Sequence, residues 1–188
     1  MKEAEIPWIE VGYRLFAYDG PGSLKVERLA KAVKKSKSSF YHLFADLEVF
    51  TQRLLDYHFE QAKIVVHKEA TAKSEAELIS VIVEHKVDLL FNRQLRIHRE
   101  NPDFENCFCK INAIAFPAMM PIWKEIIGLT DNSSLAEMVL SLSIENFYLQ
   151  ITDTTLNEPW LTAYFKNIRN MISQFKLRAS ISELDGTV

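Results

Sequence analysis

Glycine and cysteine are scarce in this chain of 188 residues, which holds five glycines, two cysteines and six prolines. So little glycine and proline excludes collagen-like and low-complexity chains. The balance of 48% apolar to 25% charged residues is that of a globular protein of one or two small domains. The cysteines, Cys107 and Cys109, are too close in sequence for an ordinary disulfide within a helix or strand. A disulfide scaffold is therefore excluded, and free thiols in a reducing compartment are expected, buried ones by preference. Long apolar runs are also missing: no window approaches the roughly 18 uninterrupted apolar residues of a membrane span. The start, Met1-Lys2-Glu3-Ala4-Glu5, lacks the basic-then-apolar layout of a signal peptide. These absences predict a cytoplasmic protein without membrane partners.

Signs of catalysis are missing as well. There is no nucleophile elbow, phosphate loop or dinucleotide fingerprint, and no carboxylate spacing singles out an acid/base pair. His58, His67, His85 and His98 are nowhere spaced i, i+4, and Cys107-Phe108-Cys109 has no third thiol or nearby histidine to complete a metal site. No catalytic residue, metal or cofactor is expected.

What is present is a charge asymmetry. The net charge is −3 and the pI about 6.0, yet residues 23–45 carry Lys25, Arg28, Lys31, Lys34, Lys35 and Lys37 against Glu27. That is a local +5, which leaves −8 for the remainder. A small basic island on an acidic body points to a polyanion-binding segment attached to a module with another job.

Apolar residues recur at helical spacing throughout, and no alternating run suggests a hairpin, so the expected fold class is all-α. A first helix is predicted from Ile6 or Pro7 to Asp19, stopped by Gly20-Pro21. A short helix follows from Leu24 to Val33, and after a polar break another begins beyond Ser36, its expected N-cap. Asp46 is expected to cap a helix over Leu47–Thr71. Longer helices are read over Ser74–Glu100, with a Ser74/Glu77 capping box, and over Phe104–Ile127, with breaks near Pro117 and Pro121. Two more are read over Ser133–Thr152, capped at Ser133 or Ser134, and over Glu158–Leu177, capped at Asn157. The polar tail Ala179–Val188 is expected to fray.

Two short helices separated by three or four residues are the helix-turn-helix layout. The run Leu15-Phe16-Ala17-Tyr18-Asp19-Gly20, then Val26-Glu27-Arg28-Leu29-Ala30, then Ser36-Lys37-Ser38-Ser39-Phe40-Tyr41-His42-Leu43-Phe44 resembles the DNA-binding domain of TetR-family transcriptional regulators at matching mutual spacing. The resemblance implies an N-terminal three-helix helix-turn-helix domain over residues 1–46 and a larger helical ligand-binding and dimerisation domain over residues 47–188. It departs from the family at Lys34, where glycine is usual, and at Lys25-Val26-Glu27-Arg28, where a Thr-x-x-Asp box is usual. It departs again at Leu47, where a phosphate-contacting lysine is common.

The residues make the same case on their own. A helix entering the major groove needs small or polar residues in its first turn, and lysines with a helix N-terminus attract phosphate. The expected DNA-contacting set is Lys25, Arg28, Lys34, Lys35, Ser36, Lys37, Ser38, Ser39, Tyr41 and His42. For the second domain, large apolar residues with a few embedded polar ones give the expected ligand lining: His85, Phe91, Asn92, Phe108, Asn112, Phe116, Met119, Trp123, Phe147 and Tyr148. The apolar faces of the last two helices give the expected dimer interface: Leu135, Met138, Leu142, Leu161, Tyr164, Phe165, Ile168 and Ile172.

The resulting expectation is a homodimeric, ligand-released repressor. Its partners are double-stranded operator DNA of pseudo-palindromic sequence and a mostly apolar small-molecule effector. The alternative is a helical small-molecule carrier or enzyme whose basic N-terminal segment docks an acidic partner.

Overall fold

The computed structural model describes residues 2–185, and over them the chain is all-α, with nine α-helices and no strand. They are α1 (Ile6–Asp19), α2 (Val26–Val33), α3 (Lys37–Phe44), α4 (Leu47–Thr71), α5 (Glu75–Glu84), α6 (Lys86–Ile97), α7 (Pro102–Ile127), α8 (Ser133–Gln150) and α9 (Glu158–Asp185). Thus α9 continues past Leu177 through most of the expected polar tail, whose last residues, 186–188, lie outside the described residues.

Local capping chemistry sets most helix starts. Ser36 Oγ accepts from the Ser39 amide at 3.2 Å, Asp46 Oδ1 from Val49 at 2.8 Å, Ser74 Oγ from Glu77 at 3.2 Å, and Asn157 Oδ1 from Trp160 at 3.0 Å. Two caps differ from expectation. Asn132, and not Ser133 or Ser134, caps α8 through Leu135, and Asn101 caps α7 two residues earlier than Phe104 predicts.

Two boundaries are corrected. The helix expected over Ser74–Glu100 is broken at His85, whose backbone leaves the helical region (φ −98°, ψ 27°). His85 is held there because Nδ1 donates to Asp88 at 2.9 Å while Nε2 accepts from Lys68 at 3.0 Å. Conversely, α7 runs unbroken through Pro117 and Pro121. Both prolines face solvent, while Ile122, Trp123, Ile126 and Ile127 are buried, so packing carries the helix past the lost amide donors.

The helices share one core. In the N-terminal part Trp8, Phe40, Phe44 and Phe50 interlock, with ring centroids 4.9–5.4 Å apart. Gly12 lets α1 lie directly on α4, because a Cβ there would stand 2.5 Å from Phe50 Cζ. A second aromatic seam joins α1 to α6, where Phe91 stacks on both Phe16 (4.1 Å) and Tyr13 (4.5 Å). The body is built from α4 laid along α7, with α8 and α9 packed on α7 and α5 on α9.

Candidate functional site

The basic island forms a helix-turn-helix with one open face. Lys37, Ser38, Tyr41 and His42 are all exposed, the i, i+1, i+4, i+5 pattern of one helical side, while Phe40 and Phe44 on the other side are buried. Ser39 is half-buried because it is tied to Ser36. Lys25 stands exposed at the N-cap of α2, and Arg28 is occupied by Asp19 at 2.5 Å. Lys37 pairs with Glu27 at 2.7 Å, which holds that carboxyl below its usual range and raises the ammonium. Among the described residues, Lys31, Lys34 and Lys35 have no ion-pair partner. Eight of the ten residues expected to meet DNA, Lys34 to Ser39 with Tyr41 and His42, therefore lie at the α2–α3 turn and along α3, where Lys34 and Lys35 offer charge, whereas Lys25 and Arg28 stand on the first turn of α2.

The turn itself keeps the geometry that a glycine would ordinarily supply. Lys34 sits at φ 57°, ψ 41°, and the Lys35 amide reaches back to Ala30 O at 3.0 Å, closing a Schellman-type cap. A left-handed lysine costs about 1 kcal/mol. Lys34→Gly is accordingly expected to hold or raise stability by up to about that amount while removing one cation. Urea unfolding checks it, and a clear loss of stability would show that the side chain packs rather than strains.

A second strained residue carries no glycine-like signal in the sequence. Ala45 adopts φ 60°, ψ −55°, and the Asp46 amide donates to Phe44 O at 2.6 Å, a γ-turn of the rarer kind. It joins α3 to α4 through a single tight turn.

The body contains a cavity of about 90 Å³ bordered by α4, α6, α7 and α8. Of the expected lining, Asn92, Asn112, Met119, Phe147 and Tyr148 border it. The cavity wall does not include His85, Phe91, Phe108, Phe116 or Trp123, and that half of the expectation is corrected. Phe91 is consumed by the α1–α6 seam, and Phe108 lies under the Arg96 guanidinium at 4.7 Å. Trp123 is in the core, donating to Ala136 O at 3.0 Å, and Phe116 packs half-buried against that core. His85 braces Asp88 from behind.

Sequence reading missed the polar wall of the cavity, His58, Glu69 and Asp88. The signal available was their place on inward positions of two amphipathic helices. Tyr13 of α1 bridges two of them: its hydroxyl donates to Asp88 Oδ1 at 2.7 Å and meets His58 Nδ1 at 2.6 Å. Burial and the neighbouring Asp88 carboxylate push the Tyr13 phenol well above its usual range. Burial drives the His58 imidazole down to about 3, so the ring is neutral. With the Tyr13 proton on Asp88, His58 donates through Nδ1–H and turns Nε2 toward Asn92, which acts weakly against the fall of the imidazole. Neither Nε2 nor Asn92 Oδ1 makes a hydrogen bond of ordinary geometry, while the Asn92 amide nitrogen donates to Tyr148 at 2.8 Å.

The last two helices correct the expected dimer face in phase. Leu161, Phe165, Ile168 and Ile172 are buried within the protomer, and Leu135 and Tyr164 are half-buried. Of the expected set Met138 (56% exposed) and Leu142 (67%) on α8 are open, and the apolar surface they belong to continues through Leu149 (75%) on α8 and Met171 (45%) and Phe175 (65%) on α9, which the expectation did not include. Between them runs a groove bordered by Leu142, Asn146, Tyr164 and Met171. Cys107 is buried, as expected of it, but Cys109 is exposed. No group of potential metal ligands occurs among the described residues, and no helix is long and apolar enough to cross a membrane.

Comparison with known proteins gives the fold a family context. No protein-family model matches the chain. A crystal structure of a TetR-family regulator from Rhodococcus sp. superposes with a TM-score of 0.56 at 12% identity, covering 92% of this chain and 98% of that one. A regulator from Streptomyces coelicolor A3(2) does so with the same score and identity over 90% and 98%. In sequence, 61 residues are 38% identical to YuxN, an uncharacterized HTH-type transcriptional regulator of Bacillus subtilis. That match spans 32% of this chain and 21% of YuxN. The chain has the fold of the two regulators of known structure, one of them of the TetR family.

Proposed function

We propose that the chain is a one-component transcriptional regulator of TetR type, a homodimeric repressor that binds a pseudo-palindromic operator and is released by a small molecule. The observation that carries this reading is the α2–α3 motif, whose polar and cationic side chains share one open surface while its aromatic side locks into α1 and α4. We take residues 1–46 as the DNA-binding unit and residues 47–188 as the ligand-binding and dimerisation unit, which sets the protein in the cytoplasm beside its DNA. Two copies joined through the exposed faces of α8 and α9 present two copies of α3 to half-sites about 34 Å apart.

The switch follows from α4. It starts one residue beyond the Ala45 turn and supplies His58, Ala62, Val65, Val66 and Glu69 to the cavity. A molecule that displaces this wall therefore moves α3 with it. A tenfold loss of operator affinity requires the ligand to favour the released state by about 1.4 kcal/mol, and operator must weaken ligand binding by the same factor.

Gel-shift against the DNA flanking its own gene tests the reading. Operator affinity is expected to fall steeply with salt, with a log–log slope near 0.9 per phosphate neutralised. A Lys34→Ala/Lys35→Ala variant should lower that slope by about two, while Ser38→Ala shifts base preference more than overall affinity. Equal slopes for the variant and the wild type would remove the basic island from the DNA contact. Binding to acidic protein but to no DNA would favour the carrier reading.

A further inference from the structure

The cavity's chemistry is one-sided. Its walls are mostly apolar, with Val65, Leu89, Ile111, Met119, Ile144 and Phe147. Asn92 Oδ1 and His58 Nε2, both on side chains more than nine-tenths buried, lack a hydrogen-bond partner, and the Glu69 carboxyl that shares the cavity with them is itself buried. Glu69 is 6% exposed, and no cation or hydrogen-bond donor among the described residues compensates it. The nearest lysine in sequence, Lys68, is held by Glu84 and His85. The other carboxylate, Asp88, is already satisfied by Tyr13 and His85. Buried acceptors without donors are costly, and a ligand that brings the donors recovers that cost.

We propose that this cavity takes a small, mostly apolar molecule ending in a cationic hydrogen-bond donor, a protonated amine being the simplest, with Glu69 as counter-ion and Asn92 Oδ1 and His58 Nε2 accepting its remaining protons. The inference rests on the reading of the cavity as an effector site and specifies the chemical class of the effector. The charge pairing is strong because both partners leave water. Size limits the tail. At about 90 Å³ the cavity is smaller than the roughly 150 Å³ void that holds benzene, so a short alkyl chain fits and a ring system requires the helices to part.

Burial raises the Glu69 carboxyl to about 7. The titratable groups that share its cavity are His58 on α4 itself, Asp88 on α6 and Tyr148 on α8, and α7 contributes none. His58 stays neutral above about 3 and the Tyr148 phenol is pushed up to about 12, so Glu69 is the cavity group whose charge changes near neutrality.

The test is calorimetric titration of the full chain, without DNA, using n-butylamine, 1-butanol and butyrate at pH 8 and pH 6. Butylamine is expected to bind at least tenfold more tightly than the other two at pH 8 and to lose about tenfold at pH 6, where Glu69 is protonated and the amine is not altered. Glu69→Gln should abolish both the preference and the pH effect. If that variant does not fold, the wild-type pH dependence alone decides. Butylamine binding no tighter than butanol, or unchanged between the two pH values, overturns the proposal, as does a preference for butyrate. The regulator reading fails separately, in the gel-shift: an amine that binds here without releasing operator refutes the switch and leaves this assignment standing.

Discussion

For the homodimeric regulator proposed above, Leu142→Arg combined with Met171→Arg is expected to give folded monomers and to lower operator affinity by at least 100-fold. Both side chains are exposed in the protomer, so the substitutions cost the monomer's stability within about 0.5 kcal/mol. In a two-fold assembly each arginine appears twice, and its burial without a partner removes the association. A monomer reads one half-site and forfeits the effective-concentration gain of a linked pair, which is about 10² to 10⁴. Phe165→Arg is the contrasting case. Phe165 is 5% exposed and contacts Trp123 and Tyr164 inside the protomer, so this change should unfold the chain by several kcal/mol. Sedimentation equilibrium with circular dichroism separates the two outcomes. An unchanged dimer in the double variant would move the interface off α8 and α9.

The second large effect is on stability against pH. Glu69 is raised in the folded chain from 4.5 to about 7, so the stability it contributes is present below pH 4.5 and is lost as pH rises through 7. His58 is lowered from 6.5 to about 3, so its contribution is present above pH 6.5 and is lost as pH falls through 3. Each changes stability by about 1.4 kcal/mol per pH unit within its window, and between pH 4.5 and 6.5 the two slopes oppose each other. The pair therefore holds that interval nearly level.

Glu69→Gln removes one side of the balance. Relative to wild type it should gain about 3 kcal/mol between pH 4.5 and 7, and it should expose the His58 slope below pH 6.5. Urea unfolding across that range reads the difference directly. A flat difference curve would show that Glu69 titrates as an exposed carboxyl.

The extent to which these features are legible in sequence follows from the range of the forces that make them. Ser36, Asp46, Ser74 and Asn157 act on amides within one turn, so their identity and spacing alone announce the helix starts. The helix-turn-helix is equally local, since alternating apolar and cationic positions over residues 24–44 dictate which side of each short helix is wet. Even the left-handed turn survives without its usual glycine, because the surrounding helices over-determine the backbone at Lys34.

Tertiary structure decided what inward faces meet. Periodicity marks Phe91, Trp123, Phe165, His58 and Glu69 alike as inward, but it does not say whether an inward residue meets a neighbour or a void. Phe91 meets Phe16 and Tyr13 and becomes core, whereas His58 and Glu69 stand where α4, α6, α7 and α8 fail to close and become cavity wall. The break at His85 and the continuity through Pro117 and Pro121 have the same origin. A long-range bond to Lys68 outweighs local helix propensity at the first, and burial of the opposite face outweighs proline's local penalty at the second. Capping, charge patterning and helix phase were determined by the chain alone, because they depend on neighbours in sequence. The cavity, its acceptor-rich wall and the outward face of α8 and α9 depend on distances between helices far apart in sequence, and only their packing sets those.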